Sequence, residues 1–158
     1  MLTRIAKDFR WEMAHRLPFH EAGCKNVHGH SYRMLVELAG EPMSNGMVLD
    51  YFVLKQYIDP LVAEIDHAFL CDETDSLMKD FLKQSGLKVV FVEFPTTAEN
   101  IARWFYDRLA DIFSPMKHIS ELRIRVEETE RTYAEVAGEI RYNLSERKSF
   151  EHQAHMLE

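Results

Sequence analysis

The eleven residues from His28 to Leu38, HGHSYRMLVEL, alternate between two kinds of side chain. His28, His30, Tyr32, Met34, Val36 and Leu38 share one face, and Ser31, Arg33 and Glu37 share the other, with Leu35 as the exception. A period of two is the signature of a half-buried β-strand. Upstream, DFRWEMAH repeats the pattern: Phe9, Trp11, Met13 and His15 point one way, and Asp8, Arg10, Glu12 and Ala14 the other. The loop between the two runs is about a dozen residues long, which predicts an antiparallel hairpin.

Residues two apart on a strand project from the same face, close enough to grip one ion. His28 and His30 meet that condition, with Gly29 leaving room on the opposite face. In the simplest hairpin register His15 lies across from His28, and the three imidazoles converge. Three neutral nitrogens suit Zn²⁺, and three protein ligands with an open fourth position mark a catalytic zinc site. A lone His-x-His is more often a hydrogen-bonded surface pair; His15, at the matching strand end, favours the metal. Cys24, four residues before His28, has three readings from spacing alone. It is a fourth ligand closing a structural site, a thiolate base or nucleophile beside an open metal, or an inert packed thiol.

Beyond the hairpin, a helical pattern starts near Phe52, with Asp50 as its N-cap. Pro60 inside it predicts a kink, or a restart capped by Asp59. A short helix is expected near Ser76 to Gln84 and a short strand over Lys88 to Phe94. The run TTAENIARWFYDRLADIF opens with a capping box, Thr96 with Glu99, and carries Ile101, Phe105, Leu109 and Ile112 on its apolar stripe. ELRIRVEET alternates again, with Leu122, Ile124, Val126 and Glu128 on one face, and YAEVAGEIRY can return antiparallel to it. The order predicts an α+β protein.

Size and charge bound the function. The chain has 158 residues, enough for one core, and a net charge of −7 that argues against nucleic-acid binding and against an anionic membrane surface. No run approaches the roughly 20 apolar residues that span a bilayer. Two cysteines, Cys24 and Cys71, are too few to staple a secreted fold. A cytoplasmic location with reduced thiols is therefore expected, and Cys71 reads as packing.

AHRL, then Cys-x₃-His-Gly-His, then Asp-His after a helix, then PTTAEN and VEET occur in that order between about Ile5 and Tyr142. Together they resemble the 6-pyruvoyl-tetrahydropterin synthase family, and more closely its bacterial carboxy-forming branch of the queuosine pathway. The three-residue gap between Cys24 and His28 favours that branch. The resemblance implies a tunnelling fold: a four-stranded antiparallel sheet with two helices on one face. Sheets would join into a barrel in a homo-oligomer, a trimer or hexamer with active sites between subunits. It implies a synthase domain over 1–143 and a polar tail over 144–158. His15, His28 and His30 match the family's Zn²⁺ ligands, and Cys24 its catalytic cysteine. Asp66 and His67 match the acid–histidine pair of its relay, and Glu128 the glutamate that anchors the pterin. Thr96 and Thr97 fall where a helix start lies against that ring. The implied reaction converts 7,8-dihydroneopterin triphosphate to 6-carboxy-5,6,7,8-tetrahydropterin; Arg16 and Lys25 are near enough in sequence to meet the triphosphate.

Overall fold

The computed structural model describes residues 1–140. The expected domain limit at 143 and the tail over 144–158 lie outside the described residues. Strands β1 (Thr3–His15) and β2 (His28–Gly40) form the predicted hairpin. Chain order continues with α1 (Tyr51–Ile65), β3 (Ala68–Asp72), α2 (Ser76–Ser85), β4 (Val89–Val92), α3 (Ala98–Phe113), β5 (Ile119–Thr129) and β6 (Thr132–Glu139).

The sheet runs β4-β3-β1-β2-β5-β6. Its antiparallel part is the expected four strands, β1, β2, β5 and β6. Two short parallel strands extend it at the β1 edge, so the described sheet has six strands rather than four. The extra strand β3, AFLCD, is buried throughout. A continuous apolar run carries no alternation, so its period could not mark it as a strand.

Helices α1 and α3 cover one face, as expected. Trp11, Tyr32, Met34, Leu54, Ile58, Ile101, Phe105 and Leu109 lie in that core. Trp11 stacks on Tyr32 with ring centroids 5.2 Å apart and planes within 2°, an arrangement worth about 0.5–1.5 kcal/mol beyond the area buried. The third helix, α2, is on the opposite face, where Leu82 packs on Phe69 and Cys71 next to Ala14. The rest of that face carries Arg33, Glu127, Arg123, Glu37 and Glu135 in partly exposed ion pairs. Such pairs add little stability singly.

Asp50 caps α1 as predicted, accepting from the Phe52 amide at 2.7 Å. The helix then runs through Pro60 without a restart. Pro60 is exposed, so the missing amide falls on the solvent side of the helix. The cap of α3 is Thr97, whose hydroxyl accepts from the Asn100 amide at 3.4 Å. The Thr96–Glu99 box does not form, because the Thr96 hydroxyl donates instead to the Arg16 carbonyl at 3.2 Å. The α3 stripe includes Ile112, part-buried against the core, and extends to the fully buried Phe113. Among the described residues no helix is long and apolar enough to cross a membrane.

Gly40 ends β2 at a register shift against β5, where the His118 backbone lies closest. A methyl group there would overlap the His118 carbonyl, which is already fixed by the Glu41 amide at 2.8 Å. Gly40→Ala should therefore cost about 1–3 kcal/mol, read as a lowered midpoint in urea denaturation.

Candidate metal centre and active site

The hairpin register puts His15 opposite His28. Their ring centroids are 4.6 Å apart; His30 is 5.1 Å from His28 and 5.3 Å from His15. One nitrogen from each ring falls in a set with all members within 4.8 Å of one another. Gly29, between the two β2 histidines, faces the other way, where a Cβ would come 3.0 Å from the Met13 carbonyl. Glycine keeps the strands close enough for the three rings to meet.

Two of the rings are oriented by main-chain carbonyls. His15 Nδ1 is 2.7 Å from the Thr96 carbonyl, and His28 Nδ1 is 2.8 Å from that of Asn26. A carbonyl only accepts, so each Nδ1 carries the hydrogen and each Nε2 keeps its lone pair, which is how protein-bound metals are usually ligated. Burial first, then the neighbouring His28 and His30, push the His15 imidazole down to about 4, against the Thr96 carbonyl. Burial also lowers His30, against the charge of Glu128. Neutral nitrogens facing one another fit a divalent metal ion.

Glu128 stands beside this centre. Its Oε1 is 3.8 Å from His15 Nε2 and accepts from the Tyr32 hydroxyl at 3.3 Å. The same hydroxyl is 3.4 Å from His15 Nε2. Burial, and then Glu128, push the Tyr32 phenol well up, so it stays a donor. Glu128 falls at a register shift between β5 and β6, a device that re-aims side chains beside sites. It shares a cavity of about 350 Å³ with Thr97, His20 and Tyr133. Thr96 is buried behind it: its carbonyl orients His15 and its hydroxyl holds Arg16. No pattern in the sequence points to that backbone role, nor to Tyr32 as the link between ligand and carboxylate.

Cys24 is half-buried, within a 3-10 turn over Gly23–Lys25. Its sulfur is not in the mutually close ligand set. Two residues on, the Asn26 carbonyl orients His28. Cys71, in contrast, is buried, and burial pushes its thiol up to about 11, as expected of a packing residue.

Asp66 and His67 form a pair, His67 Nδ1 to Asp66 Oδ2 at 2.9 Å. The Glu12 amide donates to Asp66 Oδ1 at 3.0 Å, and the Glu12 carbonyl accepts from the His67 amide at 2.7 Å. Those bonds hold the pair at the β1 edge and, with His67, keep the Asp66 carboxyl below the usual carboxylate range. His67 has a left-handed φ of 57°, an uncommon conformation for a residue with a side chain, and its ring is 75% exposed. It lines a cavity of about 610 Å³ on the α2 side of the sheet, with Ser31, Lys88 and His30. His67 and Glu128 of one chain thus line different cavities. Arg16 is not free for an anion, because its guanidinium is taken by Asp75; Lys25 is exposed.

This sheet, curled around two helices and carrying a three-histidine centre at one end, defines a protein of the tunnelling-fold class. A family model described as 6-pyruvoyl tetrahydropterin synthase matches residues 4–139, and the chain belongs to that family. It is 36% identical over 145 residues to a Haemophilus influenzae protein named 6-carboxy-5,6,7,8-tetrahydropterin synthase, covering 85% of this chain and 98% of that one. A Synechocystis protein of the same name is 39% identical over 124 residues, covering 75% and 83%. Among solved structures, Plasmodium vivax 6-pyruvoyl tetrahydropterin synthase superposes with a TM-score of 0.71 at 16% identity, over 88% of this chain and 99% of that one. An uncharacterised Wolinella succinogenes protein gives 0.68 at 24%, over 86% and 98%.

The depressed His15 sets a pH dependence. An unfolded histidine near 6.5 binds a proton that folded His15 refuses until about pH 4. In that window the unfolded state binds more protons, so stability falls as pH falls. Chelator-treated protein should lose denaturation free energy steadily between about pH 6.5 and 4, and His15→Gln should flatten that slope in urea melts at stepped pH.

Proposed function

We propose that the protein is a Zn²⁺-dependent lyase. It converts 7,8-dihydroneopterin triphosphate and water to 6-carboxy-5,6,7,8-tetrahydropterin, triphosphate and acetaldehyde, in queuosine and related 7-deazapurine biosynthesis. The observation that carries the reading is the placement of Glu128: a carboxylate 3.8 Å from a candidate metal-ligand nitrogen, at the wall of a cavity. A pterin edge presents a ring N–H beside an exocyclic amine, and a carboxylate accepts both in parallel. The relatives named as 6-carboxytetrahydropterin synthases, and the three residues between Cys24 and His28, favour the carboxy product over the pyruvoyl one.

His15, His28 and His30 would hold the ion, which when bound polarises the hydroxyls of the substrate side chain and acidifies the adjoining C–H. Glu128 fixes the ring, with Tyr32 donating to one of its oxygens. Cys24, as thiolate, takes the proton from the side-chain carbon, and His67, oriented by Asp66, returns one elsewhere. Since His67 and Glu128 line different cavities of one chain, the complete site is assigned to a homo-oligomer, a trimer or hexamer in which a neighbouring copy supplies the Asp66–His67 pair. The sheet ends β4 and β6 have no further strand beside them among the described residues, and unpaired edges favour such association.

Three outcomes are expected. Purified protein given the dihydropterin triphosphate should yield a carboxy-pterin by mass spectrometry; a pyruvoyl product refutes the assignment. Cys24→Ala should keep zinc and fold while turnover drops on the order of 10²–10⁴-fold, and Glu128→Ala should raise the pterin Kd on the order of tenfold or more. Metal analysis and calorimetric titration read both.

A further inference from the structure

The segment Cys71–Phe94 is not accounted for by the chemistry above, yet one of its side chains reaches the loop that carries Cys24. Asp75 takes the Arg16 guanidinium in a two-pronged bond, with Nε and Nη2 each 2.6 Å from a carboxylate oxygen. The pair is well shielded, with 17% of the Arg16 side chain and 5% of the Asp75 side chain exposed. The remaining nitrogen, Nη1, donates to the Lys25 carbonyl at 3.3 Å, one residue past Cys24.

The rest of that loop is loosely held. Glu21, Ala22, Gly23, Lys25, Asn26 and Val27 are exposed. Cys24 is the half-buried residue among them, and hydrogen bonds supply the ties from this loop to its surroundings. Two others are internal to the turn, Lys25 N–H to the Ala22 carbonyl and Asn26 N–H to the Gly23 carbonyl. The bonds tying residues 24–26 to neighbouring structure are Leu17 N–H to the Cys24 carbonyl at 2.8 Å, Arg16 to Lys25, and His28 to Asn26. Arg16 is itself anchored at both ends. Its carbonyl accepts from Thr96, and its guanidinium is gripped by the N-cap of α2, where Asp75 also accepts from the Met78 amide at 3.3 Å. Helix α2 is in turn seated on β3 through Leu82.

We propose that the Arg16–Asp75 pair is a clamp through which α2 fixes the position of the Cys24 loop, making Asp75 and Arg16 positioning residues for the thiol. The proposal rests on the reading of Cys24 as the reacting base, but its physical content, a loop immobilised from α2, can be measured without turnover. A bidentate pair suits this task because its two bonds fix the guanidinium plane and thereby aim the third N–H. Arg16 thus serves the geometry of the thiol rather than the substrate's phosphates.

The test uses the full-length zinc-loaded protein, with Asp75→Asn, Arg16→Lys, Asp75→Glu and, as a control, Lys79→Ala. Lys79→Ala removes an α2 side chain that pairs with Glu73 and leaves both the Arg16–Asp75 bonds and the Leu82 seat in place. Iodoacetamide alkylation of Cys24, followed on its own peptide by mass spectrometry, and amide hydrogen exchange over residues 22–27 report on the loop. In Asp75→Asn and Arg16→Lys the alkylation should run severalfold faster and exchange should rise there. Zinc content should hold, and kcat should fall about ten- to a hundredfold with KM little changed. Asp75→Glu should recover part of each effect, and Lys79→Ala should leave Cys24 alkylation near the parent rate. Unchanged alkylation and exchange in a folded Asp75→Asn protein overturn the clamp, as does an equal effect from Lys79→Ala. If Cys24→Ala retains turnover, the base assignment falls, while alkylation and exchange still decide the clamp.

Discussion

Thirteen residue pairs between β1 and β2, from Thr3 opposite Gly40 to His15 opposite His28, fix which face every side chain of the hairpin takes. A slip of one residue would carry His28 and His30 to the α2 side and pull Tyr32, Met34, Val36 and Leu38 out of the core. That core includes four of the most deeply buried positions of the molecule on β2 alone. At about 1.5–3 kcal/mol for each large apolar side chain exposed, the register is held by packing. The histidines inherit their geometry from it. The geometry of the histidine cluster is thus a consequence of hydrophobic pairing a few residues away, with Gly29 permitting the close approach.

The same pairing divides the chemistry between the two faces of the sheet. On the α1 and α3 side, His15 is desolvated, oriented by Thr96 and linked through Tyr32 to Glu128. On the α2 side, Glu12 ties both its main-chain groups to Asp66 and His67, which is where β1 gains β3 as a parallel neighbour. The uncommon backbone at His67 is stabilised by that bond, a pattern expected where local conformation serves a site rather than the fold. The acid–histidine pair thus stands at the β1–β3 junction and the carboxylate beside His15, two partial constellations in one copy of the chain.

Alternation made the antiparallel strands legible: Phe9, Trp11 and Met13 against Arg10 and Glu12 needed no partner to be read. The His15–His28 pairing was likewise legible, because a hairpin loop constrains both strand ends at once. What escaped depends on contacts distant in sequence. AFLCD gives no period, and only its place between β1 and β4 makes it a strand. Thr96 and Thr97 can each cap a helix; the choice was made by the Arg16 carbonyl, 80 residues away, which claims the Thr96 hydroxyl. The Tyr32–Glu128 bond spans 96 residues and the Arg16–Asp75 pair 59. No local pattern encodes either.

The proposed chemistry requires three imidazoles presenting lone pairs to a single ion while leaving one coordination position for substrate. X-ray absorption at the zinc edge of the reconstituted protein tests this most directly, since nitrogen and sulfur scatterers separate by distance. The expected spectrum fits three imidazole nitrogens and one further light atom at about 2.0–2.1 Å. A sulfur shell at about 2.3 Å would place Cys24 in the fourth position, close the centre to substrate and contradict the account.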